Sequence, residues 1–380
     1  MNLSDTEWGE AFHRRIAAQR VPLSGLLELT SRCNLRCVHC YLGPQDAIWP
    51  KRDEELTTGE VLSIIDQIVE AGCLYLSITG GDPMVRPDFP EIYTYARKKG
   101  LLVTILCNGI LVKDHIVELF RKYPPTSVEI SLYGATAATY EAITKVRGSY
   151  AGCLRGIQLL LDAGIRVGLK TVHLTLNDHE IDAMRDLAAS FGLKFRTDSA
   201  IFPFLPDRDP EVLKLRVTPE QAIAREMSDP NHLRNWGEHL AKTRLDALEE
   251  VYVCGAGVTD FYIDPYGNAS PCLMTTQYRH SLREHTFASL WAKELRQHKG
   301  KKPQDGYGCN SCDMRGACSG CPAFNYLEGG EEDVKSEYVC KTTELRWNEI
   351  QKVMGGGPAS DWKPVSLTLR RATTVKEPTR

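Results

Sequence analysis

Leu26-Leu27-Glu28-Leu29-Thr30-Ser31-Arg32-Cys33-Asn34-Leu35-Arg36-Cys37-Val38-His39-Cys40 joins a short apolar run to three cysteines spaced C-x3-C-x2-C. The run reads as a buried strand, so the cysteines sit on the loop leaving its C-terminal end. Three thiolates this close suit a soft metal, as iron–sulfur or zinc ligation requires. The next cysteine, Cys73, falls in a separate apolar run. Zinc commonly takes paired C-x2-C units, and a structural zinc site needs a fourth ligand that is not evident here. A [4Fe–4S] cubane held by three cysteines leaves one iron open for a substrate or a second cofactor. The spacing therefore favours an iron–sulfur cluster on Cys33, Cys37 and Cys40.

Outward from this stretch, strands and helices alternate. Before it, residues 1–20 read as an amphipathic helix with Trp8, Phe12 and Ile16 on one face. After it, Thr57-Thr58-Gly59-Glu60 resembles a helix start, followed by Val61, Ile64, Ile65, Ile68 and Val69 at helical spacing. Strands are expected at 73–78, 101–106, 127–132, 166–172 and 193–197, and helices at 88–99, 113–122, 149–163 and 178–190. Such alternation predicts an α/β fold with a parallel sheet and right-handed crossovers. Six strand–helix units are too few for a closed eight-fold barrel and fit a partial (β/α)6 TIM-like barrel. Functional groups in such barrels lie on loops at the C-terminal ends of strands.

The predicted organisation is an N-terminal helical segment (1–24), the barrel (25–200), a helical bridge (201–250), a small C-terminal α+β domain (251–345), and a helix end with tail (346–380). Pro203, Pro206, Asp207, Arg208, Asp209 and Pro210 mark the bridge as a linker. In the tail, Val365, Leu367 and Leu369 alternate with polar residues, as in an edge strand or a solvated terminus.

The chain of 380 residues has a formal net charge of −3. That balance gives no sign of nucleic acid as an obligatory partner. Residues 1–20 hold no apolar segment of a signal peptide, and no run is long enough to span a bilayer. Thirteen cysteines in such a chain argue for reduced thiols and metal in a reducing cytoplasm.

Three further segments fall at strand ends. In Thr79-Gly80-Gly81-Asp82-Pro83, two glycines permit close backbone approach to a ligand, and the Asp82 carboxylate can meet an ammonium group. Asn108, in Cys107-Asn108-Gly109, suits either a ligand pocket or a turn. Ser131 lies in Ile130-Ser131-Leu132-Tyr133-Gly134. Cys73, Cys107 and Cys153 are expected as small core hydrophobes. A second array reads Cys254-x12-Gly267-x4-Cys272, then Cys309-x2-Cys312-x5-Cys318-x2-Cys321, then Cys340. Between Cys254 and Cys272, residues 261–268 read as a strand entering a hairpin. Zinc ribbons are the alternative to iron–sulfur clusters for this array.

The three-cysteine motif resembles the radical S-adenosylmethionine (SAM) enzyme family. The resemblance implies that Cys33, Cys37 and Cys40 hold a [4Fe–4S] cluster whose open iron chelates the methionine end of SAM. An electron from the cluster then cleaves SAM to methionine and a 5′-deoxyadenosyl radical, which takes a hydrogen atom from substrate. His39 occupies the position that usually carries an aromatic ring near the adenine. Gly80, Gly81 and Asp82 match the family's Gly-Gly-Glu-Pro segment, with Asp82 in place of Glu. Asn108 and Ser131 match further SAM-pocket positions. Tyr133 stands where an acidic residue is common.

The second array resembles the SPASM extension of these enzymes. That implies two auxiliary clusters, expected as [4Fe–4S]: one on Cys309, Cys312, Cys318 and Cys340, the other on Cys254, Cys272 and Cys321. No cysteine lies between Cys254 and Cys272, so one iron of the second is expected to be open or held by an oxygen or nitrogen ligand. The implied activity is an oxidoreductase that crosslinks or oxidises a ribosomally made peptide or protein. Tetrapyrrole side-chain modification and a non-catalytic iron–sulfur scaffold are the alternatives. Implied partners are a reductant such as flavodoxin or ferredoxin and a separate leader-binding carrier protein, since the barrel begins near residue 25.

Overall fold

The structure is a computed structural model that describes residues 5–228, 235–236, 239–240 and 249–354. The tail reading for 363–380 and part of the bridge lie outside the described residues. Helix α1 (Asp5–Gln19) precedes strand β1 (Ser24–Glu28). There follow α2 (Thr58–Glu70), β2 (Tyr75–Thr79), α3 (Phe89–Lys98), β3 (Leu102–Cys107), α4 (Asp114–Lys122) and β4 (Ser127–Ser131). Then come α5 (Ala137–Thr144), α6 (Ser149–Asp162), β5 (Val167–Val172), α7 (Ile181–Ser190) and β6 (Phe195–Asp198).

The helices between the barrel strands each bury one face. In α2, the Thr57 hydroxyl accepts from the Glu60 amide while Glu60 accepts from the Thr57 amide, closing a capping box. Its buried side, Val61, Ile64, Ile65 and Ile68, packs into the main core. Full burial of each such isoleucine contributes roughly 1.5–3 kcal/mol. Helix α5 was not expected. The Thr136 hydroxyl caps it by accepting from the Thr139 amide.

The sheet runs β6-β5-β4-β3-β2-β1-β7-β8-β9. Strands β1 to β6 are parallel and form the open, partial barrel. Strand β7 (Asp260–Ile263) lies parallel to β1, from Ser24↔Asp260 to Leu27↔Ile263. A hairpin leads to β8 (Asn268–Ser270), which pairs with β9 (His280–Ser281). The expected strand and hairpin between Cys254 and Cys272 thus extend the barrel sheet. Phe261, Phe287 and Trp291 share one core with Leu27, Ile65 and Ile78.

The residues divide into two compact units. The first comprises Met1–Thr218, Leu248–Asn310 and Gly320–Ser336; the second comprises Pro219–Ala247, Ser311–Ser319 and Glu337–Arg380. The segment 251–345 therefore contributes to both. In the second unit, α8 (Pro219–Met227) packs on α11 (Glu337–Met354), the helices between being α9 (Phe287–Ala292) and α10 (Pro322–Gly329) of the first. Arg346 joins them through a two-pronged pair with Glu226, both contacts at 2.7 Å.

Candidate active site

The loop after β1 is fixed from several sides. The Cys33 amide donates to Gln45 Oε1 at 2.7 Å, and the Gln45 amide donates to the Ser31 carbonyl at 3.2 Å. Arg32 and Glu55 form a buried ion pair at 2.9 Å, with Trp49 stacked on the guanidinium. The amides of Arg36 and Val38 donate to the Thr144 and Ile143 carbonyls at the end of α5. The cysteine loop is thereby held by backbone and buried charge, which is the rigidity a positioned reactive group needs.

Cys33, Cys37 and Cys40 interact through their charges. Burial, the Asp82 carboxylate and Cys40 push the Cys33 thiol up to about 12. Burial, Cys40 and Cys33 raise Cys37, and burial and Glu28 push Cys40 up to about 11. Three half-buried, mutually repelling thiolates need a cationic partner, and an iron cluster fits that donor set. Among the described residues, no three His, Cys, Asp or Glu side chains are placed to hold a single metal ion.

The loops after β2 and β3 close on the cysteine loop. Gly80 has a φ of +145°, and a Cβ there would lie 2.1 Å from the Thr30 carbonyl oxygen. A Cβ on Gly81 would lie 2.4 Å from the Arg32 carbonyl oxygen. The close approach these glycines permit is to the cysteine loop itself. Both oxygens of the buried Asp82 are occupied, Oδ1 by the Met84 amide and Oδ2 by the Asn108 amide, each at 3.0 Å. Burial pushes its carboxyl up to about 6. Asp82 thus brackets the loops after β2 and β3. Asn108 Nδ2 donates to Asn34 Oδ1 at 2.8 Å and toward the Cys33 sulfur at 3.7 Å.

His39 meets Tyr133 edge-on, with ring centroids 4.6 Å apart. Its Nδ1 is buried with no hydrogen-bond partner, and burial holds the imidazole down at about 4. Ser131 ends β4, two residues before Tyr133. A neutral ring, a phenol and a hydroxyl therefore stand beside the cysteines.

Cys254, Cys272 and Cys321 lie in the first unit and also interact through their charges. Burial, Cys321 and Cys254 push Cys272 up to about 11, and burial and Cys254 raise Cys321. Cys309 belongs to the first unit and Cys312, Cys318 and Cys340 to the second. Asp264 serves the hairpin: its carboxylate accepts from the Tyr266 and Asn268 amides and from Asn268 Nδ2, each at 2.9 Å. Cys73, Cys107 and Cys153 are buried in the core, as small hydrophobes would be.

One buried group escaped the sequence reading. Glu28, fully buried at the end of β1, accepts from the Tyr41 hydroxyl at 2.6 Å and the Tyr262 hydroxyl at 2.8 Å. The available signal was an acidic residue inside an otherwise apolar strand.

Residues 27–188 match the Radical SAM superfamily. The mycofactocin maturase MftC of Mycobacterium tuberculosis is 30% identical over 343 residues, covering 84% of this chain and 82% of that protein. The AdoMet-dependent heme synthase of Methanosarcina barkeri is 27% identical over 339 residues, covering 83% and 95%. In fold, the chain resembles Streptococcus suis SuiB bound to its precursor peptide SuiA, with a TM-score of 0.65 at 17% identity, covering 89% and 82%. The chain belongs to the radical SAM superfamily. It is a radical SAM enzyme of a family that uses SAM and a [4Fe–4S] cluster.

Proposed function

We propose that this protein is an oxidoreductase that modifies a ribosomally made peptide or protein. The observation that carries this reading is the similarity to the mycofactocin maturase along most of both chains. We assign Cys33, Cys37 and Cys40 to the SAM-cleaving cluster, and His39, Gly80, Gly81, Asp82, Asn108 and Ser131 to the walls of the SAM pocket. Bound there, the cluster supplies the electron that cleaves SAM and so generates the hydrogen-abstracting radical. The chain's own part is to fix the thiols through Gln45 and the Arg32–Glu55 pair, and to direct the Asn108 amide at Cys33. His39, neutral and unpartnered at Nδ1, offers that nitrogen to a bound ligand. Cys254, Cys272 and Cys321 are assigned to one auxiliary cluster; Cys309, Cys312, Cys318 and Cys340 are assigned to the other. A flavodoxin or ferredoxin as reductant, a separate leader-binding carrier and a cytoplasmic setting complete the reading. Among the described residues, no helix is long and apolar enough to cross a membrane.

A second reading, tetrapyrrole side-chain modification, is favoured by the heme synthase similarity, which covers 95% of that enzyme. Anaerobically reconstituted protein, given SAM and dithionite, is expected to form 5′-deoxyadenosine, which a non-catalytic scaffold does not. Mass spectrometry then separates the two enzyme readings. A short peptide encoded beside the gene should lose hydrogens. If only a propionate-bearing porphyrin is altered, the peptide reading fails.

A further inference from the structure

A cavity of about 380 Å³ opens beside the cysteine loop, within the first unit. Glu28 and Tyr262 line it, together with Ile48, Phe204 and Arg279. Leu42, Gly43 and Pro44, just after Cys40, form another part of its wall. Its size lies at the lower end of the range of about 300–1,000 Å³ for small-ligand sites. It suits one or two residues of a chain.

Arg279 brings to this cavity a buried donor with no partner, its Nε. The nearest carboxylate contact is Asp264, at 4.0 Å, which is beyond a hydrogen bond. Asp264 is already committed to three donors of the hairpin turn. Glu28 is committed to Tyr41 and Tyr262, and burial pushes it up to about 7, so much of its charge is absent near neutrality. A guanidinium carries five N–H donors in a planar fork that matches a carboxylate. A buried donor left unmet is destabilising, and a bound acceptor relieves it. Lys51 adds a second cation to the lining, and Asp207 a third acidic residue beside Glu28 and Asp264.

We propose that this cavity binds a carboxylate of the peptide substrate, with Arg279 as its partner and the apolar wall holding the adjoining side chain. This rests on the peptide reading above. The carboxylate belongs either to the chain terminus or to an acidic side chain, two sources of one chemistry.

The test is ligand-observed NMR titration of the cluster-loaded protein, without reductant, using three capped amino acids. N-acetylphenylalanine carries a terminal carboxylate, N-acetylglutamate amide a side-chain carboxylate, and N-acetylphenylalanine amide neither. At least one acid is expected to bind about tenfold tighter than the neutral amide, and the tighter acid identifies the source. Arg279→Gln should erase that preference. Arg279→Lys, which keeps the charge and loses the fork, should retain part of it and guards against a folding defect in the first variant. Equal binding of acids and amide by the wild type overturns the inference and leaves the peptide reading standing. A propionate-bearing porphyrin that binds more tightly than the capped acids, with the same dependence on Arg279, overturns the assignment to a peptide.

Discussion

The side-chain amide of Asn108 points at the sulfur of Cys33, with Nδ2 at 3.7 Å from Sγ. The same nitrogen donates to Asn34 at 2.8 Å, and Asn108 Oδ1 accepts from the Ile110 amide. A donor aimed at a thiolate ligand favours the reduced, more negative cluster. Asn108→Ala is expected to lower the reduction potential of the SAM-cleaving cluster and to slow 5′-deoxyadenosine formation. A redox titration followed by electron resonance reads the first effect. An unchanged potential would remove Asn108 from this role.

Replacing Cys33, Cys37 and Cys40 together with Ala should abolish SAM cleavage and remove one cluster's iron. The C-terminal array should stay loaded. Iron analysis with a 5′-deoxyadenosine assay checks both, and residual cleavage contradicts the assignment of the loop.

Glu55→Gln leaves the Arg32 guanidinium buried beside a neutral amide. Both side chains of the pair are at least nine-tenths buried. Removing one member of such a pair costs about 3–5 kcal/mol. Denaturant unfolding should show a loss of that order. A loss below about 1 kcal/mol, the scale of an exposed pair, would mean that the pair is solvated.

Gly80→Ala meets two obstacles. The positive φ alone costs about 1–3 kcal/mol for an L-residue, and the Thr30 carbonyl stands where the new Cβ would go. The variant should melt several degrees lower and lose iron from the first cluster. Normal melting would show that the β1 and β2 loops separate easily.

The Glu28 carboxyl is raised from 4.5 to about 7, first of all by burial. The native state therefore holds a proton that the unfolded chain releases between those values. Its contribution to stability is fully present below about pH 4.5 and is lost as pH rises through about 7. Glu28→Gln should flatten that part of the stability profile, and above pH 7 it should gain up to a few kcal/mol relative to wild type. Unfolding free energies measured across pH 5–8 are the check; parallel profiles would contradict it.

Local features were the legible ones. The alternation of strands and helices, the cysteine spacing and the capping box at Thr57–Glu60 each depend on neighbours within a few residues. Helix α5 was hidden although Ala137, Ala138, Glu141 and Ala142 favour a helix, because eight residues are too few for a clear apolar period. Its start is fixed from outside, where Glu180 accepts from the hydroxyls of Thr136 and Thr139 and from the Ala135 amide. The contact between Asp82 and the Asn108 amide was not legible, because its donor arrives from another strand. Glu28 was passed over for the same reason: Tyr41 and Tyr262 meet it only once the sheet is assembled.

The parallel pairing of β1 with β7 has a consequence for how the chain is made. Once β2 has added to one side of β1, the other side keeps a row of bare amides and carbonyls. Leu27 must wait for Ile263 to leave the ribosome before that edge is covered. An unpaired edge is a template for pairing with other chains, and pairings this distant in sequence form slowly. The nascent barrel is therefore most prone to aggregate during synthesis of its second half. The auxiliary-cysteine hairpin acts as the closing strip of the sheet, and a chain cut just before residue 260 is expected to be insoluble even though all six barrel strands are present.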